Sequence, residues 1–193
     1  MPNDAPTRRY AKGDAKRREI LDAALTVISV HGYRNSSLQE IADAVGLTKA
    51  GVLHYFDTRE HLLAEVLRER DEHDGEALMS ADEDVIDLLR RAIDHNKGVP
   101  GLVQLYSRLA VESESSEHPG HDYVGARYTA LRTGLEAALR ARQERGAIRA
   151  DIDPATFARV LIAVSDGLQL QWLHDPSIDM TAAVEAVLAT LTP

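Results

Sequence analysis

Lys49, His54 and Tyr55 fall within the stretch GLTKAGVLHYF, residues 46–56. An ammonium, an imidazole and a phenol grouped on one short element suit hydrogen bonding to phosphates and to the edges of bases. A second group, Glu114, Glu117, His118 and His121, spans eight residues and offers donor types that a metal accepts. Pro119-Gly120 lies between its two histidines and interrupts any helix that would set them on one face. That segment therefore reads as a loop joining two helices, and no metal is expected there. No G-x-S-x-G, phosphate-binding glycine loop or H-E-x-x-H pattern occurs. The chain has no cysteine, which removes thiol nucleophiles, disulfides and zinc-thiolate sites together. Neither a cofactor nor an enzymatic activity is expected.

Charge decides whether a nucleic-acid partner is reasonable. The chain of 193 residues carries a net charge of −9, which would repel DNA if it were spread evenly. It is not: residues 1–60 hold nine Lys/Arg against eight Asp/Glu, so the acidity belongs to residues 61–193. Arg8, Arg9, Lys12, Lys16, Arg17 and Arg18 face only Asp4 and Asp14 in the first eighteen residues. Affinity for DNA follows the few phosphates neutralised locally, and an acidic body beyond a Debye length of about 8 Å is screened. With 44% apolar residues the chain can bury a sizeable core as one large domain or two small ones. No run approaches the roughly 18 apolar residues of a membrane span, and no secretory pattern opens the chain, so a cytoplasmic protein with no membrane partner is expected.

The elements that must position these groups are helical almost throughout, because apolar residues recur at a period near 3.6 and sustained alternation is absent. Ile20, Leu21, Ala24, Leu25 and Ile28 make one stripe on a helix from about 14 to 31, closed by Gly32. Ser37 and Glu40 form a reciprocal cap for a second helix that buries Leu38, Ile41, Ala42 and Val45. Gly46 stops it in the left-handed conformation, and Thr48 caps a third helix running to about Phe56, with Val52 and Phe56 inward. Two helices joined by a tight glycine corner are the connection of a helix-turn-helix. Asp57 and Glu60 read as the cap of a long fourth helix to about residue 79. Five more follow near 82–97, 101–117, 120–145, 154–174 and 180–192, giving an all-α, nine-helix chain. It divides into a flexible basic arm at 1–13, a helix-turn-helix DNA-binding domain at 14–60, and a helical body at 61–193.

A helix held out from the body fits the major groove, and helix N-termini receive phosphates. Ser36, Ser37 and Thr48 mark such ends. Lys49 reaches guanine or phosphate, Gln39 suits adenine, Ala50 and Gly51 leave room for bases, and His54, Tyr55 and Arg59 suit phosphates. In the second domain a pocket is expected among helices four to eight. Its candidate lining is Leu102, Leu105, Tyr106, Leu109, Tyr128 and Leu131, joined on the eighth helix by Leu161, Ser165, Gln169 and Trp172. Arg108, Arg127 and Arg132 either pair internally or hold an anion. The last two helices are apolar on more than one side and predict a dimer interface. Phe157, Leu161, Val164 and Leu168 would supply it from the eighth helix, with Val184, Val187, Leu188 and Leu191 from the ninth.

Residues 15–63, through H-G-Y, S-S-L-Q-E-I-A, G-L-T-K and H-Y-F-D-T-R-E, closely resemble the DNA-binding domain of the TetR family of transcriptional regulators. Leu53 stands where that family usually has a tyrosine, and Arg59 where it usually has a lysine. HPGHDYVGARY, DIDPATFA and DGLQLQWLHDP are similar to the C-terminal domains of betaine-responsive repressors. The resemblance implies a homodimeric repressor that binds a palindromic operator in double-stranded DNA, with residues 61–193 a ligand-binding and dimerisation domain that responds to a small-molecule effector. Its rival is a helical small-molecule-binding protein or enzyme that keeps the helix-turn-helix as scaffold.

Overall fold

The computed structural model describes residues 5–78 and 85–193. Among them are nine helices and no strand: α1 (Ala5–His31), α2 (Leu38–Ala44), α3 (Lys49–Phe56), α4 (Arg59–Leu78), α5 (Val85–Asn96), α6 (Pro100–Glu112), α7 (His121–Glu144), α8 (Pro154–His174) and α9 (Met180–Ala189). The all-helical expectation holds, with shifted ends. Residues 1–4 of the expected arm, and the expected start of the fifth helix at 82, lie outside the described residues. Helix α1 runs back to Ala5 through part of that arm, because Ala, Arg and Lys are good helix formers and Pro6 falls in the first turn, where a missing N–H costs nothing.

The caps explain most of the remaining boundaries. Ser37 Oγ accepts from the Glu40 amide at 3.2 Å while Glu40 Oε2 accepts from the Ser37 amide at 2.7 Å, the reciprocal cap read from the sequence. Those hydrogen bonds to Ser37 hold the Glu40 carboxyl below the usual carboxylate range. Gly46 has φ +66 and turns the chain, with the Leu47 amide returning to the Ala42 carbonyl at 2.8 Å. Thr48 then caps α3 by accepting from the Gly51 amide at 3.1 Å. Asp57 departs from expectation. It ends α3 with φ +55, so its side chain does not cap α4, and Thr58 takes that role by accepting from the His61 amide at 3.0 Å. Helix α6 stops at Glu112 and α9 at Ala189, each a few residues earlier than the apolar spacing suggested. After α6 a series of turns follows, tied by His121 Nδ1 against the Ser113 carbonyl at 2.9 Å and by the Gly120 amide donating to His118 Nδ1 at 3.0 Å.

Two buried clusters organise the interior. The first joins Ile20 and Ile28 of α1, Ile41 of α2, Val52 and Phe56 of α3 and Leu62, Leu63, Val66 and Leu67 of α4. It continues without a break into Leu102, Leu105 and Leu109 of α6, so the core crosses the division expected after residue 60. The second gathers Ile86 and Ile93, Leu135 and Leu139, Leu161 and Trp172, and Met180, Val184 and Leu188, from α5, α7, α8 and α9. Where the two meet, the first turn of α6 presses on the end of α1. A Cβ on Gly101 would stand 2.2 Å from the Ile28 carbonyl oxygen and 2.9 Å from the Gly32 Cα. Gly32 itself has φ +76, the conformation that closes α1 there.

Candidate nucleic-acid interface and interior cavity

Helix α3 is short because Thr48 starts it and Asp57 ends it, and only Val52 and Phe56 face the core, both wholly buried. The rest of the helix is at least partly open to solvent. Lys49, Ala50 and His54 are exposed, Gly51, Leu53 and Tyr55 are half-buried, and the rings of His54 and Tyr55 meet edge to face at 5.7 Å. A Cβ on Gly51 would come no closer than 3.4 Å to Leu47, so nothing inside the protein demands glycine at this exposed helix start. Ser37 and Thr48 are exposed at their helix ends. Gln39 is exposed as well, its amide donating to Asp43 Oδ1 at 2.7 Å.

Two of the predicted residues sit differently. Ser36 is 5% exposed and its hydroxyl donates to the Tyr33 carbonyl at 2.9 Å, which spends it on shaping the turn before α2. Arg59 is half-buried. Its guanidinium donates to the Ser36 carbonyl at 3.5 Å and lies over the Tyr33 ring at 5.3 Å. Behind this face two basic residues of α1 act as braces, a use that counting charges did not show. Lys16 donates to the Val45 carbonyl at 2.7 Å, where the end of α2 has a partial negative charge. Arg17 pairs with Glu65 at 2.6 Å and lies over the Phe56 ring at 4.7 Å, tying α1, α3 and α4 together.

A cavity of about 720 Å³ opens among α4, α5, α6, α7 and α8. Of the candidate lining residues, Tyr106, Leu131, Ser165 and Gln169 line it. Leu102, Leu105 and Leu109 do not, because they are spent in the first cluster, and Leu161 and Trp172 are spent in the second. Tyr128 is also absent from the lining and donates its hydroxyl to Asp166 Oδ2 at 2.9 Å. The polar groups that the sequence reading missed come largely from α4, α5 and α7. Asp71 is the hub: it accepts from Tyr123 Oη at 2.7 Å and is ion-paired with Arg127, which lies over the Tyr106 ring at 4.8 Å. Burial works against the Arg127 charge, but the Asp71 carboxylate together with Tyr123 and Tyr106 more than offsets it, so the guanidinium pKa is raised above its ordinary value. Burial also raises the Tyr123 phenol well above its ordinary range, and it raises the Asp166 carboxyl despite the hydrogen bond from Tyr128. Arg70 donates to Asn96 Oδ1 at 2.7 Å. Arg108 and Arg132 are elsewhere, paired with Glu112 at 2.6 Å and Glu136 at 3.8 Å.

The predicted interface residues divide in two. Leu161, Val184, Leu188 and Leu191 are buried inside their own subunit, since they form the seam between α8, α9 and the body. Phe157, Val164, Leu168 and Val187 are half-buried. The outward face of α8 instead carries Val160, 39% exposed, and Leu170, 51% exposed, with Ala163 and an open Gly167 between them. Ala182, Ala186 and Ala189 form the corresponding exposed face of α9.

Comparison with known proteins places this arrangement. Residues 20–66 match the profile of bacterial regulatory proteins of the tetR family, and residues 109–192 match the C-terminal profile of BetI-type transcriptional repressors. The chain is 28% identical to the A-factor receptor protein of Streptomyces griseus over 160 residues, 79% of this chain and 53% of that protein, so it spans about half of that relative's length. It is 24% identical to the HTH-type transcriptional repressor AcnR of Corynebacterium jeikeium over 156 residues, 79% of each chain. The crystal structure of a candidate transcriptional regulator from Saccharomonospora viridis in complex with choline superposes with a TM-score of 0.75 at 22% identity, over 93% of this chain and 99% of that one. Among the described residues no helix is long and apolar enough to cross a membrane. With an N-terminal and a C-terminal profile matched in their proper order on an all-helical fold, the chain belongs to the tetR family of transcriptional regulators.

Proposed function

We propose that the protein is a homodimeric repressor that reads a palindromic operator through α3 and releases it when a small molecule occupies the cavity. The observation that carries this is the exposed surface of α3, held behind the Gly46 corner by the buried side chains of Val52 and Phe56. In this reading residues 14–60 read DNA, residues 61–193 hold the effector and the partner subunit, and residues 1–13 add basic charge beside the duplex. Ser37, Gln39, Thr48, Lys49, Ala50, Gly51, Leu53, His54, Tyr55 and Arg59 form the DNA-facing set, with Ser36 shaping the turn beneath them. Phosphates approaching the α2 and α3 N-termini meet free N–H groups and the positive end of each helix.

Selection of bound duplexes from a random pool tests the reading and supplies an operator. A palindrome with half-sites about one DNA turn apart is expected. On that operator Lys49→Ala is expected to lose about 1 to 3 kcal/mol of binding free energy, measured by fluorescence anisotropy. A protein that keeps the helix-turn-helix only as scaffold would enrich no palindrome and would show no loss.

Dimerisation supports half-site symmetry. The exposed apolar face of Val160, Ala163, Gly167 and Leu170, beside Ala182, Ala186 and Ala189, is the surface proposed to meet its own copy. Because Leu170 is half in solvent, Leu170→Glu should leave the subunit folded while placing a carboxylate in the interface. Sedimentation is expected to show a dimer for the parent and a monomer for the variant at micromolar concentration. A variant that sediments as the parent does would move the interface elsewhere.

Effector control is supported by the cavity's position above α4, which belongs at once to the DNA-side core and to the cavity wall. The name of the Streptomyces griseus relative records a ligand, and the Saccharomonospora viridis structure contains choline; each is a property of that protein. A ligand that swings operator occupancy from 1:99 to 99:1 must prefer the released state by about 10⁴-fold.

A further inference from the structure

Charge and hydrogen-bonding capacity are distributed unequally around the cavity. Three arginines, Arg68, Arg70 and Arg127, balance three carboxylates, Asp71, Glu72 and Asp166. The charges are largely committed within the protein. Arg127 pairs with Asp71, Arg68 donates to Glu65 at 3.0 Å and lies over the Tyr123 ring at 5.6 Å, and Asp166 accepts from Tyr128. Uncommitted capacity lies with neutral groups. Gln169 is 9% exposed, lines the cavity and has no side-chain hydrogen bond among the described residues. The Ser165 hydroxyl gives its proton to the Leu161 carbonyl at 2.8 Å, which leaves its oxygen able to accept. The rest of the wall is apolar, from Leu89 and Ile93 of α5, Ala130, Leu131 and Leu135 of α7 and Ile162 of α8.

We propose that the cavity takes an uncharged amphipathic molecule with a carbonyl-type head: the carbonyl accepts from Gln169, an N–H or O–H on the same head donates to Ser165, and an alkyl body lies along the apolar wall. An anionic head would have to compete with Asp71 for Arg127, and a cationic head would have to compete with Arg127 for Asp71. Either competition leaves a desolvated partner charge uncompensated. A neutral head disturbs neither pair and satisfies donors and acceptors that water must otherwise fill. The volume of about 720 Å³ lies inside the range usual for small-molecule sites, roughly 300 to 1,000 Å³.

This inference rests on the cavity's being the effector site, and the test separates the two claims. Calorimetry on the full chain without DNA compares three probes of equal alkyl length: octanamide, octanoate and octyltrimethylammonium. Octanamide is expected to bind at least about tenfold tighter than either ion. Equal or tighter binding of octanoate or of the ammonium probe overturns the proposal, and so does the absence of binding by all three. Gln169→Leu keeps side-chain volume and removes the free amide. It is expected to weaken octanamide about three- to tenfold, and an unchanged affinity overturns the placement of the head. Operator release is then read separately by anisotropy. Octanamide that binds without releasing DNA leaves the ligand class standing and defeats effector control. An ion that binds tightest and releases DNA does the reverse.

Discussion

Replacing Phe56 with alanine is expected to lower folding stability by about 3 to 5 kcal/mol and to abolish operator binding at ambient temperature. The ring is wholly buried at the last position of α3, and with Val52 it is one of the two fully buried side chains of that helix, Tyr55 packing only partly against the same core. Arg17 lies over it at 4.7 Å and the His61 ring meets its edge at 6.0 Å, so the cavity left by truncation would open between three helices rather than collapse within one. The following residue, Asp57, already occupies the left-handed region at φ +55, which leaves the chain little freedom to draw α3 inward. Urea unfolding followed by circular dichroism measures the loss, and Phe56→Leu, closer in volume, is expected to cost less than about 1.5 kcal/mol. The contrast with Lys49→Ala is diagnostic, because that substitution should alter DNA affinity and leave the unfolding midpoint where it was. A loss below about 1 kcal/mol for Phe56→Ala would mean that something other than this ring anchors the helix.

Gly101→Ala is the second large effect. Alanine in a helix is ordinarily better than glycine by about 0.5 to 1 kcal/mol, so the local expectation is a gain. The obstruction here is backbone, the Ile28 carbonyl oxygen at 2.2 Å and the Gly32 Cα at 2.9 Å, and backbone cannot rotate away as a flexible side chain does. Helices α1 and α6 must separate, and the variant is expected to lose about 1 to 3 kcal/mol or more. Gly125, exposed on α7 with nothing within 4 Å of its Cβ position, is the control: the same change there is expected to stabilise slightly. Thermal unfolding of the two variants side by side reads the difference, and equal behaviour would remove the close approach of α1 and α6 as a constraint.

What could be read in advance follows the range of the interactions involved. Ser37 with Glu40, Gly46 and Thr48 act within four residues of themselves, so their spacing already contains their geometry, and Val52 and Phe56 fall inward for the same reason. Asp57 shows where local reading fails: D-x-x-E has the form of a cap, but the chain reverses so sharply after α3 that Asp57 takes a left-handed conformation and Thr58 becomes the cap. The cavity is a long-range object. A leucine stripe on α6 looks the same whether it meets α1 or a void, and Leu102, Leu105 and Leu109 meet neighbours. A signal for the missed polar groups was nonetheless present. The apolar pairs Leu62/Leu63 and Val66/Leu67 of α4 recur every four residues, and the next pair in that register is Arg70/Asp71. Charges that continue a buried stripe ask for buried partners, and Asn96, Tyr123 and Arg127 supply them. The faces of α8 and α9 misled in the same way, because double-sided apolarity does not say which side is kept for the subunit itself.

The continuous first cluster bears on how such a regulator could be re-engineered. Because Leu62, Leu63, Val66 and Leu67 of α4 and Leu102, Leu105 and Leu109 of α6 complete the packing under α1 to α3, the first sixty residues are not a detachable cassette. A hybrid spliced at that boundary would set a foreign floor beneath Ile28 and Phe56. On the proposed function, grafting a new effector specificity onto this chain therefore means keeping α4 and α6 as native foundation and exchanging only the walls that α5, α7 and α8 contribute.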